Sequence, residues 1–355
     1  MVCLLFAYIA KVGRMRLYHI LTATRMSVMD STPTSPALSP AVHLLTTDEL
    51  NRLRRTIVIT NGKGGVGKTS VTTNLATLLA EASYKVLVVD LDSQANVAVN
   101  LGFYEDENRN DHGRSLYSAV TFGEIPMPAK NIRPGLDVLS AGRFTAQLFD
   151  AIRGDSLRGG NMRGGVARVI AKIAPEYDLI LIDTPPSDAG FIAVDEAMLA
   201  ARWIIAPLRP EPKSIKGLYS LAERIEHVQE SNPYIRLLGV VLFGVPKGAT
   251  RVEQRPREIL GERLEGIAPT FQAKIRNVVA ADADASFRGE SAHELAAEVA
   301  KQGPFWQRLR DGKSAAPVLA GSANSLSEDY MSLATEIVNE LQTQEEAIEA
   351  QEAQQ

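Results

Sequence analysis

Two lysines share one glycine-rich stretch, Gly62-Lys63-Gly64-Gly65-Val66-Gly67-Lys68-Thr69. The spacing G-x-x-x-x-G-K-T is that of a loop whose glycines let consecutive backbone N–H groups converge on phosphate oxygens. A helix starting at the end of the loop adds its N-terminus to the same anion site. In this chemistry Lys68 neutralises the outer phosphates and the Thr69 hydroxyl is offered to Mg2+. Gly64, Gly65, Val66, Gly67, Lys68, Thr69 and Ser70 make up the cradle. One lysine is enough for it, so Lys63 is left over.

Two further segments supply acids. Val88-Val89-Asp90-Leu91-Asp92 closes one apolar run with two carboxylates, and "YDLILIDTPP" (Tyr177 to Pro186) closes another with Asp183. Ligands of α/β sheets bind beyond the carboxyl ends of the strands. Asp92 can orient or activate an attacking water, Asp90 can hold the metal shell, and Asp183 suits a carboxylate acting on Mg2+ through water. A lone acid at a strand end is often a turn-former. Three strand ends with complementary chemistry point to a nucleotide–metal site.

The elements that must position these residues are legible around them. "TIVIT" (Thr56 to Thr60) is β-branched and precedes the loop; Val71, Leu75, Leu78 and Leu79 recur behind it at helical spacing. "KVLVV" (Lys85 to Val89), "LDVLS" (Leu136 to Ser140), Leu179 to Ile182, Trp203 to Leu208 and Leu237 to Phe243 read as strands. Val166 to Ile173 and Gly217 to Glu230 read as helices between them, and Thr46 to Arg54 as a short helix with a Thr46/Glu49 capping box. Strands that are apolar throughout and alternate with helices predict a doubly wound, mostly parallel α/β sheet covered on both faces. The divisions expected are an N-terminal extension and linker over 1–45, poorly ordered, a phosphate-loop domain over 46–341 and an acidic Glu/Gln tail over 342–355.

Composition narrows the classes. The 355 residues carry 45% hydrophobic and 23% charged side chains, the balance of a water-soluble fold. A net charge of -4 gives no global attraction to nucleic acid or membrane, so any such binding needs a local basic patch. The single cysteine, Cys3, excludes a disulfide framework or a cysteine-ligated cluster within one chain. Val2 to Ala10 is apolar, but its positive charges follow the run and it is too short to span a bilayer. The expectation is an upstream-extended start, with Met26 as initiator, in a cytoplasmic protein; a signal peptide or membrane anchor is the alternative. Ser31 to Ala41, rich in Pro, Ser and Thr, reads as a linker.

With the motifs in hand, the chain resembles a known family. The loop Lys63 to Thr69, "DLDSQAN" (Asp90 to Asn96) and "LIDTPPS" (Leu181 to Ser187) are similar to the deviant Walker A, A′ and B motifs of the ParA/MinD ATPases. "LYSAV" (Leu116 to Val120), "RPGLDVLSAG" (Arg133 to Gly142) and "PLRPEPKSIKGL" (Pro207 to Leu218) resemble stretches of ParA-type, Soj-like partition proteins. The likeness runs from about Thr56 to Gly289 and weakens after Gly244. It implies a P-loop NTPase fold and a weak ATPase, with ATP and Mg2+ as cofactors, that forms a homodimer when ATP is bound. It also gives Lys63 a role: reaching across the dimer to the partner's nucleotide, as an arginine finger does. Lys63, Lys68 and Asp92 are then the catalytic set, with Thr69, Asp90 and Asp183 on the metal side. ATP over GTP is likewise implied by the resemblance, since a phosphate loop does not read the base.

The partition branch further implies non-specific DNA as partner, nucleoid association, and a ParB-type centromere-binding protein that stimulates hydrolysis and release. Candidate phosphate contacts are Arg251, Arg255 and Arg257, then Lys274 and Arg276 in "QAKIRNVVAADADASFRG" (Gln272 to Gly289). Arg153, Arg158, Arg163 and Arg168 form another basic stretch. The alternative is a MinD-like positioning ATPase on a membrane or protein surface. Against stable membrane association, Gln342 to Gln355 holds Glu and Gln but no basic residue, and anionic lipid would repel it. A metabolic ligase of the same fold is disfavoured by the extra Lys63.

Overall fold

Apolar β-branched runs build the centre of the molecule. In the computed structural model, residues 44–186, 191–246, 248, 250–302 and 322–352 are described, all within the compact unit His43–Gln355. The readings of Cys3, Met26 and Ser31 to Ala41 lie outside the described residues. The strands are β1 (Thr56–Ile59), β2 (Val86–Asp90), β3 (Ala129–Arg133), β4 (Leu136–Leu139), β5 (Leu179–Asp183), β6 (Trp203–Leu208), β7 (Arg236–Val245) and β8 (Thr270–Arg276). They form one eight-stranded sheet in the order β3-β4-β2-β5-β1-β6-β7-β8. Every pairing is parallel except β3 with β4.

Burial on both faces explains why these strands read as continuous hydrophobic runs. β1, β2, β4, β5 and β6 are buried at every position. Alternation then splits them between two cores: Ile57 and Ile59 pack on one side of β1, Val58 on the other. On the Val58 side lie α1 (Thr47–Arg52), α4 (Arg114–Phe122), α5 (Arg143–Leu157), α6 (Gly165–Ile173), α7 (Phe191–Leu199), α8 (Pro212–Gln229) and α9 (Thr250–Leu264). On the opposite side lie α2 (Lys68–Glu81), the short α3 (Asn96–Asn100), α10 (Val279–Arg288), α11 (Ala292–Gln302) and α12 (Ala323–Glu352). Each fully buried Leu, Ile or Val contributes about 1.5–3 kcal/mol.

Local signals held where a side chain fixes them. The Thr46 Oγ1 accepts the Glu49 N–H at 3.2 Å while Glu49 accepts the Thr46 N–H at 2.7 Å, completing the capping box at the start of α1. Helix α12 continues through Gln342 to Glu352, because Arg55 grips Glu345 with two hydrogen bonds of 3.0 and 3.3 Å and Ile348 packs against the core.

β8 is an edge strand whose outward backbone groups are taken by side chains. Glu336 of α12 accepts the N–H groups of Gln272 and Ala273, each at 2.7 Å, and Asp329 accepts that of Arg276 at 2.9 Å. Arg257 of α9 donates to the carbonyls of Phe271 and Gln272 at 2.7 and 2.8 Å. Two successive N–H groups can face the same way because the register with β7 shifts along this stretch.

Candidate functional site

The chain order sends β2 to one side of β1 and β6 to the other, so the loop after β1 opens at a switch point of the sheet. The loop departs from Asn61, whose Nδ2 donates to Pro207 O at 2.5 Å. It turns through left-handed backbone at Gly65 (φ 68°) and Gly67 (φ 86°), conformations that glycine adopts without strain. At Gly67 a Cβ would fall 2.2 Å from the Phe243 ring; at Gly65 it would meet nothing within 4 Å. The back of the loop is therefore packed against β7 and its front is open.

Helix α2 begins at Lys68, with Gly67 as its N-cap. Its first-turn N–H groups have no intrahelical acceptor and suit an anion. Lys68 is buried, with Nζ donating to Lys63 O at 3.3 Å. The Thr69 Oγ1 donates to Asp183 Oδ2 at 2.7 Å, and the Thr72 Oγ1 lies 3.1 Å from Asp183 Oδ1. Val66 is buried and Ser70 half-buried beside them.

The two acid-bearing strands are neighbours, and their register pairs Asp90 with Asp183. Both side chains are fully buried. Burial raises both carboxyls above the ordinary carboxylate range. The charge of Asp183 raises Asp90 further, while hydrogen bonds from Thr69 and Thr72 and the charge of Lys68 pull Asp183 back. Asp90 accepts the N–H groups of Asp92 at 2.9 Å and Val97 at 3.4 Å. Asp92 accepts the N–H of Gln94 at 3.1 Å, which shapes the turn before α3.

These residues fit a magnesium nucleotide. An open loop of glycine backbone and a helix N-terminus suit phosphate, and a hydroxyl and two buried carboxylates stand at adjacent strand ends. Among the described residues no cluster of three or more His, Cys, Asp or Glu is arranged to hold a metal by itself. A shell completed by phosphate oxygens and water is what Mg2+ ordinarily takes. When bound, the ion would supply charge neutralisation on the phosphates, with Thr69, Asp90 and Asp183 on its protein side.

Lys63 sits apart from Lys68. Its side chain is 36% exposed and its Nζ lies 3.3 Å from Glu211 Oε2, on the turn between β6 and α8. The same turn supplies Arg209, whose Nε donates to Gly65 O at 2.8 Å. Sequence reasoning assigned neither Arg209 nor Glu211 a role. The available signal was position: both follow β6 directly, as Asp90 and Asp183 end β2 and β5.

The basic residues considered for nucleic acid lie elsewhere. Lys274 forms an ion pair with Glu253, which also takes the Arg257 Nε at 2.8 Å. Arg276 is held in a fork by Asp329, at 2.8 to 3.0 Å, and donates to Ser325 O at 2.7 Å. Arg255 is exposed on α9, and the Arg251 side chain lies outside the described residues. Arg168 ties α6 to the carbonyls of Leu44, Asn161 and Arg163. No helix among the described residues is long and apolar enough to cross a membrane.

Comparison with known proteins places this geometry. The family described as an AAA domain matches residues 54–237. The chromosome partitioning protein ParA of Caulobacter vibrioides is 34% identical over 209 residues, covering 58% of this chain and 75% of that protein. Among solved structures, an ATP complex of a McdA variant from Cyanothece matches with a TM-score of 0.60 at 18% identity, covering 80% of this chain and 96% of that one. Cobyrinic acid a,c-diamide synthase from Mycobacterium smegmatis, with bound ADP and magnesium, matches with a TM-score of 0.54 at 24% identity over 74% and 96%.

Proposed function

Since this chain belongs to the ParA/MinD family of P-loop ATPases, we propose that it is a DNA-partition ATPase that dimerises on ATP and binds DNA without sequence preference. Hydrolysis is weak until a ParB-type partner stimulates it, and stimulation releases the protein from nucleoid DNA. The observation that carries this reading is the contrast between the two loop lysines. Lys68 is buried against its own loop; Lys63 stands at the rim in an ion pair with Glu211. An exposed pair of that kind contributes about 0–1 kcal/mol, so its exchange for a second subunit's phosphate is energetically easy. A cation supplied in trans makes dimerisation depend on bound nucleotide.

Within this reading each chain contributes its own residues. The loop backbone and Lys68 bind and orient the phosphates, Thr69, Asp90 and Asp183 stand on the metal side, and Asp92 orients the attacking water. Arg255 is the first cation to test against DNA. Lys274 and Arg276 would have to exchange partners within the chain before reaching a phosphate.

The deciding experiment measures DNA binding with and without ATP across a salt series. ATP should produce binding that falls steeply with salt. Lys63→Ala should retain nucleotide but lose ATP-dependent dimerisation in light scattering, and with it the DNA binding. ATP-dependent binding to anionic vesicles with no binding to DNA would overturn the partition reading in favour of a surface-positioning ATPase.

A further inference from the structure

We propose that Arg209 is a positioning residue of the nucleotide site, holding the Gly65–Val66 peptide in the orientation that presents the Val66 N–H to phosphate. The inference rests on the nucleotide-site reading above and adds a residue from outside the loop motif.

Gly65 is the least supported point of the loop. It is exposed, its φ is 68°, and a Cβ built on it would touch nothing within 4 Å. Buried Val66 anchors the far end of the peptide that follows, but nothing packs against Gly65 itself, and glycine has the largest conformational freedom to lose. The contact that orients that peptide is the hydrogen bond from Arg209 Nε to Gly65 O, at 2.8 Å. A trans peptide is planar, with its C=O and N–H directed oppositely. Pinning the Gly65 carbonyl toward Arg209 therefore points the Val66 N–H away from Arg209.

The anchor itself is rigid. Arg209 directly follows β6, which pairs with β1 through Ile57↔Trp203, Val58↔Ile204 and Ile59↔Ile205. That register fixes the start of the Arg209 side chain relative to the strand from which the loop springs. Its guanidinium passes the end of β7 at Gly244, where a Cβ would stand 3.7 Å from Arg209 Cζ. The arginine thus runs between two strand ends to one backbone oxygen.

Glutamine offers a direct test. Its Nε2 is bonded to Cδ as the Nε of arginine is, so Arg209→Gln keeps a donor at the same point of the side chain and removes the charge. The measurement is equilibrium titration of the full chain with a fluorescent ADP analogue and Mg2+, with melting curves recorded for each variant. Arg209→Ala should bind about tenfold more weakly, the effect of one charge-assisted hydrogen bond, with an unchanged melting temperature. Arg209→Gln should recover affinity to within about twofold of the parent, which a role through charge alone would not allow. Parental affinity in Arg209→Ala overturns the proposal, and so does an Arg209→Gln variant as weak as Arg209→Ala. Lys68→Ala separates the two levels. If it binds like the parent, the nucleotide-site reading itself fails; if it loses binding while Arg209→Ala keeps it, only the positioning role falls.

Discussion

The carboxyl ends of β2 and β5 and the outer edge of β8 both concentrate charge, and they treat it in opposite ways. At the first, Asp90 and Asp183 are paired in register and fully buried, burial raising both carboxyls and the charge of Asp183 raising Asp90 further. At the second, three cations each have an acid: Lys274 and Arg257 share Glu253, and Arg276 is clasped by Asp329. A buried charge that its neighbours only partly compensate costs stability and is retained where chemistry needs it. A compensated one is part of the scaffold. Type and spacing made both regions look functional in the sequence, and only the partners tell them apart.

The largest effect expected is at the acid pair. Asp183→Asn should reduce ATP turnover at least a hundredfold while leaving the melting temperature equal or higher, because one of two mutually opposed carboxylates is gone. A large loss of stability in that variant would break the contrast. The mirror case is Arg276→Ala, which leaves the buried Asp329 without its fork. Denaturant unfolding should show a loss of about 3 kcal/mol, with nucleotide affinity unchanged to within twofold.

An intermediate case sharpens the comparison. Glu196 of α7 is buried and accepts the N–H groups of Gly164 and Val166, at 2.7 and 3.2 Å, at the start of α6. Burial outweighs those bonds and pushes its carboxyl up to about 7. The folded form therefore holds the proton more tightly than the unfolded chain. Stability from this group is fully present below about pH 4.5 and is lost as pH rises through about 7, a change on the order of 1–3 kcal/mol. Glu196→Gln should flatten the stability profile across that window. The smallest effect belongs to Arg255→Ala, which under the proposed partition function should lower the salt dependence of DNA binding by about one counterion without touching stability.

Much of the fold was legible because the central strands are buried on both faces. β6 begins and ends at the residues read from the sequence, Trp203 and Leu208. β3 escaped notice because its sequence, AKNIR, buries only Ile132. β8 was masked by Lys274 and Arg276, whose charges suggested a ligand; their acids lie 21 and 53 residues away and carry no local signature. In the site, the loop motif named its own residues. The Asp90–Asp183 adjacency and the hydrogen bond from Arg209 to Gly65 depend on strand order, which no single motif encodes.

The closed edge of β8 also limits how copies of this chain can meet. Another strand laid along Phe271 to Ala273 would find the amides held by Glu336 and the carbonyls held by Arg257. It would have to displace charge-assisted bonds to gain neutral ones, an unfavourable exchange. Sheet extension on this side is therefore blocked.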